Sequence, residues 1–262
     1  MDKTGILVIS HGSRDQGWVE MIEHAVALAG TDYPTETAFL ELVAGKSIED
    51  GVRKLESEGI NRILVVPLFL TMGSTHLHEI QYALGLLPES PIPTDLERIH
   101  PRAHMVWCSP LESHPYVLAI LEERIQQISV EPSQEILLLI GHGSDVEGFH
   151  ERWEKLLSNI TSRLQKRFGF LHATHATFHP DNIQERAQAL ASHGSLIVLP
   201  FFMSEGYFTK SAIPRRLRGL QTLYEGHALL PHALVSAWIQ NSVRSCDKEV
   251  DDFESLIYTL NH

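Results

Sequence analysis

The sequence predicts an α/β protein made of two tandem, internally duplicated domains, each a small parallel sheet flanked by helices. Three observations lead there. Short apolar runs (Ile6 to Ser10, Ile63 to Leu70, Ile136 to Gly141 and Ser195 to Met203) read as strands buried on both faces. Helical stretches with apolar residues on one side separate them, and strand–helix alternation is the pattern of a parallel sheet covered on both faces. The arrangement then returns: His11-Gly12-Ser13 is matched by His142-Gly143-Ser144, 131 residues on, while Pro67 and Gly73 are matched by Pro200 and Gly206 at 133. His114 is echoed by His232 at a shorter 118, so the second copy is more compact late in its course. Copies of this size suit minimal α/β domains, here residues 1–129 and 134–262, joined by the linker Val130 to Gln134.

In order, the first strand ends at His11, where Gly12 allows a sharp turn. Val19, Ile22, Val26 and Ala29 fall at helical spacing between Trp18 and Leu28. Thr37 to Leu42 reads as a second strand with Glu41 at or just past its end. Ser47 to Leu55 is a helix with Ser47 as N-cap, closed by Gly59. The strand Ile63 to Leu70 leads into a loop, Thr71 to Ile80, and then a helix. Pro88, Pro91 and Pro93 break the chain before a weaker strand, Met105 to Cys108, and a closing helix, Tyr116 to Ile128. The second half repeats this with a helix from Trp153 to Phe168, a strand from Leu171 to Phe178 and a helix from Ile183 to Ala191. The stretch from Cys246 to His262 is acidic at first and reads as a short terminal helix or a tail, with no function attached.

Composition removes several classes of function. A net charge of −12 argues against a general nucleic-acid surface or an anionic membrane as partner. The two cysteines, Cys108 and Cys246, form no CxxC pattern, which disfavours a cysteine-bound cluster or a disulfide scaffold. No run approaches the ~20 apolar residues of a membrane span, and no basic segment with a cleavage site precedes the first strand. The expectation is a cytoplasmic protein. There is no Gly-x-Ser-x-Gly elbow, Walker sequence or Gly-x-Gly-x-x-Gly, so serine hydrolysis and nucleotide binding lack support.

Ligands of parallel sheets collect at the carboxyl ends of the strands. In the first half that edge would present His11, Glu41 and either His76 or His78. Two imidazoles and a carboxylate suit a borderline divalent metal such as Co(II), Fe(II), Ni(II) or Zn(II). His175 and His179 are four apart on a stretch that reads as strand, which favours a structural or surface role over a metal pair. Arg14 and the Arg215, Arg216 and Arg218 cluster are the candidates for holding an anionic ligand.

Together, Ile6 to Asp15 (ILVISHGSRD), Phe39 to Leu42 with Ser47-Ile48-Glu49, Val65 to Gly73 (VVPLFLTMG), Gly141 to Ser144 and Leu199 to Pro214 (LPFFMSEGYFTKSAIP) resemble the sirohydrochlorin chelatase family, in its long two-domain CbiX/SirB-type form. The resemblance implies two chelatase-like α/β domains enclosing a tetrapyrrole. It also implies ATP-independent insertion of Co(II) or Fe(II), in some branches Ni(II), into sirohydrochlorin or a relative. That activity belongs to cobalamin, siroheme or coenzyme F430 synthesis. The metal is then a substrate, and no tightly bound cofactor is expected.

The family's histidine after strand one is matched by His11. Its histidine after strand three falls by count on Thr75, one place before His76, so either His76 or His78 takes that role or the site is altered. The expected set is therefore His11, His76 and Glu41 for catalysis, His11 and His76 for the metal, and Ser13, Arg14, Thr75 and His78 for the tetrapyrrole. In the second half the position equivalent to Thr75 is Phe208, so that copy keeps His142, lacks the partner, and is expected to be a degenerate half that encloses substrate. The alternative from the binding class is a non-catalytic tetrapyrrole or metal carrier, motivated by the displaced histidine. An internal duplication can replace a homodimer, which favours a monomer.

Overall fold

The computed structural model describes residues 3–260, with side chains for 3–248. It divides into two compact units. The first takes the chain up to Phe69, Thr75–Pro110 and the segment that begins at Ser236. Its strands β1 (Thr4–Ser10), β2 (Thr35–Phe39), β3 (Arg62–Pro67) and β4 (His104–Trp107) form a parallel sheet in the order β2-β1-β3-β4. Ile6 to Ile9 and Ile63 to Val66 are wholly buried, which is why these strands are continuous apolar runs and not alternating ones.

The helices of this unit are started by their own sequences. The Asp15 carboxylate accepts from the Gly17 amide and caps α1 (Gln16–Leu28). Ser47 and Asp50 form a reciprocal capping box on α2 (Ile48–Ser57), an arrangement that satisfies two amides left unbonded at a helix start. The Glu56 side chain, buried on α2, accepts from the Arg102 and Ala103 amides and ties the approach to β4 onto the helix. Helix α8 (Ala233–Leu260) is joined to the unit by Asp247, which pairs with Arg62 of β3 at 3.0 Å and accepts from the Tyr33 hydroxyl at 2.8 Å. The acidic terminal stretch thus continues a helix, and its side chains from residue 249 onward lie outside the described residues.

Unit two holds Leu70–Ser74 and Leu111–Val235. Strands β5 (Glu135–Gly143), β6 (His172–His179), β7 (Ser195–Pro200) and β8 (Thr222–Leu223) repeat the topology as β6-β5-β7-β8, all parallel. They pack with α4 (Pro115–Ile128), α5 (Phe149–Phe168) and α6 (Ile183–Ala191). A π-helical turn, Phe208–Ala212, runs into the short α7 (Ile213–Arg216). Among the described residues no helix is long and apolar enough to cross a membrane.

Several boundaries differ from those expected. The second strand ends at Phe39, because the Phe39 amide donates to the Lys46 carbonyl and the chain turns, with Leu42 at a φ of 66°. The third strand ends at Pro67, after which the Leu68 amide makes a last bond to the Ile9 carbonyl. Thr75 to His78 is the first turn of α3 (Thr75–Ala83) and not a loop, so both histidines stand on a helix. The two-residue β8 was not anticipated, since so short a strand carries no periodicity. The division into residues 1–129 and 134–262 describes the repeat in the sequence, whereas the compact units cut across it. Helix α4, which closes the first repeat, belongs to unit two, and α8, which closes the second, belongs largely to unit one.

Candidate active site

The carboxyl edge of the first sheet brings together three side chains from three elements. His11 follows β1, Glu41 follows β2 and His76 lies in the first turn of α3. The ladder runs past the end of the strands to set the first two, as the Leu40 amide donates to Ser10 and the Glu41 amide to His11. Gly12 makes this possible. At a φ of 104° it lets the Glu41 backbone come so close that a Cβ there would lie 1.9 Å from the Glu41 carbonyl oxygen. His11 Nδ1 consequently sits 3.6 Å from Glu41 Oε1.

The His11 and His76 rings meet edge to face with centroids 4.8 Å apart. Their Nδ1 atoms are both turned to oxygen, His11 to the Gly12 carbonyl at 3.3 Å and His76 to the Glu79 carboxylate at 3.0 Å. Those oxygens only accept, so each Nδ1 carries the proton and each Nε2 the lone pair. Metal-binding histidines are commonly oriented this way by a carbonyl or carboxylate behind the ring. Of the two histidines left open by the sequence, His76 faces His11, and His78 leaves the helix roughly 200° round its axis from it. Thr75, half-buried, precedes His76 on the helix, while the half-buried His78, expected at the same site, is turned away from it; Ser13 and the exposed Arg14 occupy the turn after His11. Ser13 Oγ accepts from the Asp15 amide at 3.1 Å.

Among the described residues no three His, Cys, Asp or Glu side chains already converge as a closed metal cage. The arrangement offers two imidazoles and one nearby carboxylate, with both histidines open to solvent. Such a set holds a metal loosely, with water completing its coordination, and leaves Glu41 able to accept protons.

The second sheet carries a different set at the same place. His142 follows the pattern of His11, with Nδ1 on the Gly143 carbonyl at 3.1 Å. Phe208 stands against it with ring centroids 5.2 Å apart. The expected loss of a histidine at that position is therefore seen, but His142 has another imidazole beside it. His179, at the end of β6, lies with its ring centroid 4.9 Å away. Gly143 pairs with His179 in the register of β5 and β6, and a Cβ on Gly143 would lie 2.1 Å from the His179 carbonyl oxygen. His179 thus occupies the place that Glu41 holds in the first copy. The signal was present in the sequence, because the strand read as ending at Phe178 puts His179 at the sheet edge. His175 does have a structural role, buried with Nε2 on Glu154 at 3.0 Å. Within the arginine cluster, Arg216 is committed to Asp181 and lies 4.3 Å over the Phe178 ring, while Arg215 and Arg218 remain exposed.

Comparison with known families decides the relationship. The CbiX family model matches residues 5–128 and again 136–246. The chain belongs to the CbiX family. Each match covers one copy of the repeat, so the duplication is one of CbiX modules. A CbiX relative named as the sirohydrochlorin cobaltochelatase of Methanopyrus kandleri is 29% identical over 136 residues, 47% of this chain and 94% of the relative. The sirohydrochlorin ferrochelatase of Priestia megaterium is 29% identical over 149 residues, 53% of this chain and 50% of that relative, so the match spans about half its length. In fold, this CbiX chain resembles SirB from Bacillus subtilis with Fe3+, at a TM-score of 0.76 and 20% identity over 93% of this chain and 95% of that one.

Proposed function

We propose that this protein is a metallochelatase that inserts Co(II) or Fe(II), and in the wider reading Ni(II), into sirohydrochlorin without nucleotide hydrolysis, as a step of cobalamin or siroheme synthesis. The observation that carries the reading is the His11, His76 and Glu41 cluster at the sheet edge of a CbiX chain. Cobalto- and ferrochelatases among its relatives support the reaction class.

Insertion requires three things of the protein. It must accept a hydrated divalent cation, present it to the ring nitrogens, and take up the two pyrrole protons that the metal replaces. His11 and His76, with lone pairs on Nε2, bind the cation in exchange for some of its water. Neutral imidazoles release a borderline metal more readily than thiolates would, because the bond is weaker and carries no ligand charge. Glu41 takes one pyrrole proton as a general base, and an imidazole freed by metal transfer takes the other. Ser13, Arg14 and Thr75 border this group and contact the macrocycle, with Arg14 facing its carboxylates, whereas His78, on the other side of α3, does not take the part expected of it.

The test follows the absorption of sirohydrochlorin with purified protein and Co(II), Fe(II) or Ni(II) in turn. The reading predicts acceleration over the protein-free rate with Co(II) or Fe(II). No acceleration with any of the three metals overturns it, and tight tetrapyrrole binding without acceleration would instead mark a carrier.

A further inference from the structure

The two histidines at the second sheet edge are not used by the proposed reaction, and they are wired like the first pair. In each copy one imidazole follows the first strand with Nδ1 on the carbonyl of the next glycine. Gly12 serves His11 and Gly143 serves His142. In each copy a second imidazole lies about one ring-width away, with centroids at 4.8 and 4.9 Å. Its Nδ1 is held by a carboxylate, Glu79 for His76 and Asp145 for His179, at 3.0 and 2.9 Å. The carbonyl and carboxylate again fix both Nδ1–H tautomers and leave the lone pairs on Nε2. His227 of this unit also turns Nδ1 to a carboxylate, that of Glu205 at 3.0 Å, whereas two others are wired differently. His175 and His232 meet their carboxylates through Nε2.

A structural role explains this pair poorly. The His179 and Asp145 side chains are 46% and 64% exposed, and an exposed ion pair contributes little to stability. What distinguishes the second pair is the source of its second ring. In the first copy that ring comes from α3, and in the second it comes from the strand end that supplies Glu41 in the first, with Phe208 filling the vacated helix-side position.

We propose that His142 and His179 form a second site for a borderline divalent cation, of the Co(II), Fe(II) and Ni(II) class, which holds the metal without inserting it. Both Nε2 atoms ligate, Asp145 supplies negative charge behind His179, and water completes the coordination, so binding is weak and exchangeable. Because His179 replaces the carboxylate of the first copy, the base needed for pyrrole protons is missing there. The use of cobalt as probe rests on the chelatase reading, but the site itself rests on the imidazole geometry.

The experiment is equilibrium dialysis of the full chain against Co(II) alone, with bound metal counted per chain. The wild type is expected to bind two equivalents. His179→Ala, at an exposed ring whose loss leaves the core untouched, is expected to bind one. His11→Ala/His76→Ala is expected to retain one, which disappears when His179→Ala is added. The proposal is overturned if the wild type binds a single equivalent, or if His179→Ala binds as much as the wild type. Insertion activity is read separately. Two equivalents without insertion would remove the chelatase reading and keep this site, and insertion with one equivalent would do the reverse.

Discussion

Gly12 and Gly143 do the same mechanical work in the two copies, but only the first serves the cluster proposed to insert metal. Each lets the end of a neighbouring strand approach a histidine turn at positive φ, with hypothetical Cβ atoms 1.9 and 2.1 Å from carbonyl oxygens. Replacing either by alanine forces the neighbouring backbone away and adds left-handed strain, at a cost of about 2 kcal/mol. The account predicts similar losses of stability for Gly12→Ala and Gly143→Ala by urea unfolding. Under conditions where both are folded, Gly12→Ala alone should lose most metal insertion, because Glu41 moves with its backbone. Equal losses of activity would mean that the position of Glu41 is unimportant. At this scale His11 and Glu41 were legible in the sequence, because each stands where an apolar run ends. His76 was legible only as one of two choices, since the distinction depends on helix phase and the segment read as loop. His179 was read with His175 for a structural or surface role and not as a neighbour of His142, because the copies were compared at constant spacing. The connecting helix α5 has 20 residues where α1 has 13, so His142 to His179 spans 37 positions where His11 to Glu41 spans 30.

Among the elements, α2 shows how a buried carboxylate can position a strand. Glu56 is 8% exposed, and burial by itself would raise its pKa. The Ala103 and Arg102 amides and the Arg102 and Arg53 guanidinium groups outweigh that and hold the carboxyl below its ordinary 4.5. A lowered folded-state value means that the stabilisation is fully present above the unfolded value and is lost as pH falls through the folded one. Unfolding from pH 7 down to pH 2, followed by circular dichroism, should therefore show a shallower acid limb for Glu56→Gln than for the wild type, with a loss of about 2 kcal/mol at neutral pH. An unchanged acid limb would remove Glu56 from the groups that set acid stability. The apolar cores of β1, β3, β5 and β7 were evident from composition alone. Their ends were less so: β3 ends at Pro67 although the apolar run goes on to Leu70, and a turn bonded to Lys46 ends β2.

For the whole molecule, the repeat in sequence and the division in space are different things. Two CbiX modules follow one another along the chain, yet the closing helix α4 is grouped with unit two and α8 largely with unit one. Sequence periodicity could not reveal this, because an amphipathic helix shows that it has a face to bury without showing which sheet buries it. The copies also differ in chemistry. One sheet edge joins two imidazoles to a carboxylate, and the other joins two imidazoles to a phenyl ring. The first of these sets is the one proposed to insert the metal. It is tested most directly by the initial rate of Co(II) insertion into sirohydrochlorin by His11→Ala and His76→Ala, with tetrapyrrole binding measured alongside by fluorescence quenching. Both variants are expected still to bind sirohydrochlorin while insertion falls by about 100-fold or more, toward the protein-free rate. Insertion by either variant within a few-fold of the wild type would contradict it.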